Sequence, residues 1–188
     1  MSPLPDFIHI RWQRPWLDST RQAIEMLSPA ELTRVGDRGF VQGRMLLREL
    51  AGELLGLDPA AVPLSASCPD CGGPHGQPRI PGLAVSLSHC ATTVVAVAAL
   101  KGTVGVDVEP LEGTAERHAA IADVAGGGGI RHWTSVEAAL KADGRGLRID
   151  PRNEAVTGGS ATVGDARYEL WHPELDGALQ TTVAWRCC

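Results

Sequence analysis

Lysine is nearly missing from this 188-residue sequence. Lys101 and Lys141 are the only two, and the other fixed positive charges are all arginines. Arginine's planar fork suits phosphate groups, although coding composition produces the same bias. A formal charge of −5 argues against general nucleic-acid binding and leaves room for a local basic pocket. No apolar run approaches the roughly 18 residues of a membrane helix, so no membrane partner is expected. Met1 to Asp18 lacks the basic-then-apolar layout of a signal peptide, and a cytoplasmic location is the expectation. The five cysteines are odd in number and unevenly placed, unlike a secreted disulfide framework. What remains is an ordinary hydrophobic fraction of 44%, in a chain long enough for one substantial core or two small lobes sharing one.

Along the chain, Phe7 to Trp12 alternates as a first strand, with His9 on its exposed side. Ser28-Pro29-Ala30-Glu31 starts a helix, with Ser28 as N-cap and Glu31 reaching back in a capping box. A second helix covers Phe40 to Leu55 and ends at Gly56, with Leu47, Leu50, Ala51 and Leu54 on its inner face. Arg34, Arg38, Arg44 and Arg48 read, without other information, as a solvated helical surface. Strands follow at Ala84 to His89, Thr93 to Leu100 and Thr103 to Glu109, the last two joined through Lys101-Gly102 as a hairpin. Leu111 to Ile130 is weakly patterned and carries a flexible Gly126–Gly129 run. Trp133 to Lys141 reads as a helix with Thr134 as N-cap and Glu137 completing a capping box. Short strands around 161–163, 166–171 and 179–185 end the chain, and Val94 to Leu100 faintly echoes Leu179 to Trp185. Cys187-Cys188 mimics a lipidation signal that nothing else supports.

Three stretches carry possible chemistry. In Val104-Gly105-Val106-Asp107-Val108-Glu109, the period of two puts both carboxylates on one strand face and the valines on the other. Such a pair either ends a strand in a solvated turn closed by Pro110 or holds a divalent cation such as Mg²⁺ together with substrate phosphates. Glu137 and Lys141 lie four residues apart on one helix face, where a plain ion pair is worth about 0.3–0.5 kcal/mol. Cys68-Pro69-Asp70-Cys71 followed by His75 resembles half a zinc site. No second Cys-x-x-Cys pair completes it, His89 and Cys90 being the only nearby recruits, and reduced, solvent-facing thiols are the expectation. Ser88-His89 is a poor nucleophile–base pair, because a base is aligned through space rather than by adjacency in sequence.

Five segments, in order, resemble the Sfp-type 4'-phosphopantetheinyl transferases: Asp37-Arg38-Gly39-Phe40 running to Arg44 and Arg48; His75-Gly76-Gln77-Pro78; Ser86-Leu87-Ser88-His89; Gly105-Val106-Asp107-Val108-Glu109; and Trp133 through Glu137-Ala138 and Lys141 to Gly144. The combination of Gly-Val-Asp-Val-Glu with Trp-x-x-x-Glu-Ala-x-x-Lys is the specific part. The resemblance implies an α/β (α+β) fold of two similar lobes in pseudo-twofold arrangement, residues 1–102 on the coenzyme A side and 103–188 carrying the metal and the catalytic helix. It implies Mg²⁺-dependent transfer of 4'-phosphopantetheine from coenzyme A to a serine of an acyl or peptidyl carrier protein, with release of adenosine 3',5'-bisphosphate. Asp107, Glu109 and Glu137 would hold the metal; Glu137 would act as general base and Lys141 would face the pyrophosphate. Arg34, Arg38, Gln77, Pro78, Ser88 and His89 would lie at the nucleotide end, and Arg48 would be structural or carrier-facing. The family also implies a monomer serving natural-product assembly lines.

Three departures accompany the likeness. Val136 stands where the family commonly has lysine, Gln77 replaces the lysine of a Gly-Lys-Pro turn, and the segment between 110 and 132 is short, with tetraglycine in place of helix. They favour an alternative expectation, a degenerate homologue that binds coenzyme A or a carrier protein without catalysis. A third, a zinc-binding interaction module built on Cys68 and Cys71, leaves the acids unexplained.

Overall fold

A computed structural model describes residues 3–14 and 20–187 of the chain. The fold is mixed α+β with two antiparallel sheets. The first has the order β1-β3-β2, from β1 (Ile8–Gln13), β2 (Ala84–Cys90) and β3 (Thr93–Ala99). The second runs β4-β8-β7-β6-β5, from β4 (Thr103–Pro110), β5 (Ala155–Thr157), β6 (Ser160–Val163), β7 (Ala166–Trp171) and β8 (Leu179–Arg186). The helices are α1 (Thr20–Glu25), α2 (Arg38–Leu55), α3 (Ala115–Val124) and α4 (Ile130–Asp143). Among the described residues, no helix is long and apolar enough to cross a membrane. Cys188 and part of the Met1 to Asp18 stretch lie outside the described residues.

Alternation along the strands sets the layers. On β3, Val94, Ala96 and Ala98 pack under Leu46, Leu47, Leu50 and Ala51 of α2. Its other face, Val95, Val97 and Ala99, joins Val104, Val106 and Val108 of β4 and Val183 and Trp185 of β8 in a second core. Val136, Ala139 and Leu140 of α4 cover the far side of the second sheet with Ala161, Tyr168 and Ala184. The order is therefore helix, sheet, sheet, helix, and each valine buried this way contributes about 1.5–3 kcal/mol.

Several expected elements form as read, and others are corrected. Thr103 to Pro110 is a strand, but it does not pair with β3. The β3 hairpin partner is β2, through Ala84↔Ala99 to Cys90↔Thr93, while β4 lies against β8. The Lys101-Gly102 turn carries the chain from one sheet to the other, because Trp185 Nε1 donates to the Lys101 carbonyl at 2.8 Å and Gly102 takes φ +74° against the Arg186 backbone. A two-residue turn looks the same in sequence whether or not its strands pair.

The Ser28–Glu31 box is present in its hydrogen bonds, 2.9 Å from the Ser28 amide to the Glu31 carboxylate, but it opens only a 3₁₀ turn over Glu31–Arg34. Thr134 is not an N-cap: Gly129 is, and Thr134 lies inside α4 with its hydroxyl on the Arg131 carbonyl and on Thr182. The segment before it contains α3, capped by Thr114, and Gly126–Gly128 form the positive-φ turn between α3 and α4. His9 is half-buried rather than exposed, and its Nε2 is buried without a hydrogen bond.

Candidate functional site

The two sheets meet along β2 and β4, and the meeting is made by serine hydroxyls. Ser86 Oγ accepts the Val106 amide and Ser88 Oγ the Val108 amide, each at 3.2 Å. These amides lie on the edge of β4 that β8 does not use. Ser88 also donates to Asp107 Oδ1 at 2.8 Å and receives Lys141 Nζ at 3.2 Å. One donor and two lone pairs are thereby all engaged, so Ser88 is a joint rather than a nucleophile.

Asp107, Glu109 and Gly105 share the face of β4 that α4 covers. A Cβ on Gly105 would collide with the Ala138 carbonyl and the Ala142 amide, so only glycine lets helix and strand backbones approach this closely. That approach puts Lys141 Nζ 2.6 Å from Asp107 Oδ1. Asp107 is 5% exposed, and its other oxygen, Oδ2, is buried with no hydrogen-bond partner among the described residues. A buried carboxylate oxygen left bare is costly unless something positive reaches it.

Glu137 lies one turn before Lys141 on the same helix. Burial pushes its carboxyl up from the ordinary carboxylate range; Lys141 opposes this, and the charges of Asp107 and Glu109 reinforce it. Three acids and one lysine thus sense one another. Glu109 is held by Arg117 Nη2 at 2.6 Å, with Arg117 Nη1 on the Pro110 carbonyl. Among the described residues the three acids do not form a group with ligand oxygens all within 4.8 Å; only Cys68, Cys71 and His75 do. Asp107, Glu109 and Glu137 are hard-oxygen donors of the kind Mg²⁺ takes, and the bare Oδ2 of Asp107 is what such an ion would satisfy.

The residues expected at the nucleotide end divide into three places, Ser88 being the one at the seam against Asp107. Arg34, Arg38 and His89 gather at the start of α2. Asp37 caps that helix through the Phe40 amide at 3.0 Å and holds Arg34 at 2.6 Å. Burial works against ionisation of Asp37, but the Phe40 amide, Arg34 and His89 together hold its carboxyl below the usual range. Gly39 leaves the room His89 occupies, since a Cβ there would come 2.6 Å from its Nδ1. Arg38 and His89 are exposed. Gln77 and Pro78 lie elsewhere, lining a cavity of about 860 Å³ with Lys141, Arg79, Arg145 and Arg148. Gln77 Nε2 is engaged by the Lys141 carbonyl at 3.0 Å, which ties this wall to the end of α4.

Two expectations about these positions are corrected. Arg44 and Arg48 are not a solvated surface; each is 3% exposed and both pair with Glu31, at 3.2 and 2.8 Å. Their helical spacing looked like a surface because the acid that buries them comes from another element. Burial pushes Arg44 down to about 10, with Glu31 opposing. Val136 is fully buried in the core between α4 and the second sheet, so this position does not face the acids.

No protein-family model matches the chain, and no curated protein matches it.

Proposed function

We propose that the chain is a 4'-phosphopantetheinyl transferase of the Sfp type, moving phosphopantetheine from coenzyme A to the serine hydroxyl of an acyl or peptidyl carrier protein. The observation that carries this reading is the buried Asp107 carboxylate, one oxygen held by Lys141 and Ser88 and the other without a hydrogen bond among the described residues, beside a Glu137 whose carboxyl the charges of Asp107 and Glu109 help to push up. A pseudo-twofold arrangement of two lobes, 1–102 and 103–188, is part of the proposal. Its support is that each sheet carries its own long helix and that β3 and β8, the echoing strands, are each paired on both sides in their sheets.

In this reading Asp107, Glu109 and Glu137 hold Mg²⁺, which when bound neutralises the pyrophosphate and its leaving group. Lys141, anchored on Asp107, presents its ammonium to the phosphates and stabilises the charge that develops there. Glu137, with its carboxyl pushed up by burial, is placed to take the proton of the attacking serine hydroxyl, directly or through one water. Arg38, Arg34 and His89 at the start of α2 receive the nucleotide's 3'-phosphate and adenine, where charge-assisted bonds and the helix N-terminus both favour an anion. Gln77 and Pro78 shape the cavity wall beside Lys141. Carrier proteins of polyketide or peptide assembly lines, a single-chain enzyme and a cytoplasmic site of action complete the proposal.

A non-catalytic binder of coenzyme A or of a carrier protein is the second reading. It is favoured by one observation, that Glu109 is paired with Arg117 rather than turned to Asp107. Intact-mass spectrometry of an apo carrier protein incubated with this chain, coenzyme A and Mg²⁺, with and without EDTA, separates the two. A metal-dependent gain of one phosphopantetheine is expected. No gain on several carriers from folded protein overturns the transferase, and coenzyme A calorimetry then tests the binder.

A further inference from the structure

The stretch between Ser65 and Arg79 presents a packing problem. Its ends are pinned by reciprocal backbone bonds between Ser65 and Arg79, at 3.0 and 2.8 Å. Between them, residues 66–78 contribute nothing to any of the hydrophobic cores. Yet this segment forms one wall of the large cavity and brings Gln77 to α4. A wall without apolar anchorage needs another fastening.

The segment folds on itself around two sulfurs and an imidazole. Cys68 Sγ, Cys71 Sγ and a ring nitrogen of His75 all lie within 4.8 Å of one another, with Cys71 Sγ 3.0 Å from His75 Nε2. No disulfide joins the cysteines. The Gly72 amide donates to the Cys68 carbonyl and the Cys68 amide to the Gly73 carbonyl, each at 2.8 Å. Gly72, directly after the second cysteine, takes φ +72°, and the amides of Asp70 and Cys71 are directed at the Cys68 sulfur. Gly76 is confined too: a Cβ there would strike the Ser67 carbonyl. The backbone thus brings both sulfurs and the imidazole together and supplies amide donors to the buried Cys68 sulfur, which is how a thiolate ligand is stabilised.

We propose that Cys68, Cys71 and His75 hold a zinc ion that fixes this cavity wall, with solvent in the fourth position. Two thiolates and one imidazole are a soft-to-borderline donor set that suits tetrahedral Zn²⁺ and disfavours Mg²⁺. Asp70 is not the fourth ligand, because Arg148 holds its carboxylate at 2.6 Å and the same oxygen is 3.9 Å from Cys68 Sγ. The expectation of solvent-facing thiols fails at Cys68, which is 9% exposed. The ion binds two steps before Gln77 and beside Pro74, whose carbonyl receives buried Arg44 at 3.0 Å, so the metal ties the wall to α2 as well as to α4. This site is independent of the transferase reading and stands or falls without it.

The test is metal analysis of the full chain, purified reduced and without chelators, incubated with excess Zn²⁺ and passed through gel filtration. One zinc per chain is expected in the wild type and in Cys90→Ser. Cys71→Ser and His75→Ala, both at exposed positions and checked for fold by circular dichroism, should each lose at least about ten-fold in zinc affinity. Replacement by Co²⁺ should give a thiolate charge-transfer band that Cys71→Ser diminishes. Removing the ion should expose the 65–79 segment to limited proteolysis. Substoichiometric zinc in the reduced wild type, full zinc affinity in folded Cys71→Ser, or a Cys68–Cys71 disulfide in protein kept anaerobic overturns the proposal.

Discussion

Two clusters of charge, one under α2 and one beside α4, are built on different terms. Under α2, Glu31 is held by Arg44 and Arg48, and Phe40 stacks beneath Arg34 and Arg44 at 4.3 and 4.9 Å. Burial works against ionisation of Glu31, but the hydrogen bonds of Arg48 and Ser28 hold its carboxyl below the ordinary value. Beside α4, Lys141 pairs with Asp107 and opposes the rise of Glu137, while Glu109 pairs with Arg117; Asp107 keeps an oxygen without a hydrogen bond among the described residues, and Glu137 is pushed up instead of down. In the first cluster the acid is outnumbered by cations and is satisfied. In the second, Lys141 stands between two acids, Asp107 and Glu137, and one oxygen of Asp107 finds no hydrogen bond among the described residues. A buried acid with both oxygens held is structure, even though Arg44 Nη1 beside it finds no hydrogen bond among the described residues; a buried acid with a bare oxygen marks where a positive charge belongs.

The comparison can be broken most forcefully at Glu31. Glu31→Gln leaves Arg44 and Arg48 buried without their counter-charge and should destabilise by about 3–5 kcal/mol, a fall in Tm on the order of 10 °C. Because the folded carboxyl titrates below its unfolded value, its contribution is full above the ordinary carboxylate range and is lost as pH falls through the folded value. The gap between wild type and variant should therefore close in acid, which thermal melts across pH would show. A pH-independent gap would place the effect in packing instead.

Asp107→Ala should leave the melt closer to wild type than Glu31→Gln does, because Lys141 is partly exposed and can rehydrate. It should lower Mg²⁺-dependent transfer by about 10²-fold or more, read by carrier mass gain. If Asp107→Ala instead unfolds the chain as readily as Glu31→Gln, the two clusters are alike and both are structural.

Glu137→Gln gives the smallest effect and the opposite sign. The folded Glu137 carboxyl titrates above its unfolded value, so ionising it costs nothing in acid and progressively more as pH rises from the ordinary carboxylate range through the folded value. Removing that charge should raise the metal-free Tm at neutral pH, read by thermal melts. The gain should vanish in acid. Stabilisation that persists unchanged at low pH would mean that Glu137 carries no such burden.

What the sequence made legible were features written within one element. The strand bounds at 84–89 and 103–109, the Gly56 stop after α2 and the shared face of Asp107 and Glu109 all follow from local periodicity and turn chemistry. What it concealed needed a second element. Arg44 and Arg48 are helical neighbours of solvent until Glu31 is brought over them. The 103–109 strand reads as the hairpin partner of 93–100 until β8 claims it. Thr134 is a fair cap on paper, but Gly129 starts the helix earlier and Thr182 takes its hydroxyl. The glycine of Gly-Val-Asp-Val-Glu lies between: its presence is plain in the sequence, and its reason is the backbone of α4 pressed against it.

The seam between the sheets has a mechanical meaning. Within each sheet, neighbouring strands are bound rung by rung, and sliding one past another breaks every rung. Across the seam, Ser86 and Ser88 make three hydroxyl bonds, to the Val106 and Val108 amides and to the Asp107 carboxylate, and Lys141 adds a fourth fastening through Ser88. The molecule is therefore stiff along its ladders and compliant at the one line where Asp107 sits. Whatever draws the two sheets together or apart acts on that carboxylate first.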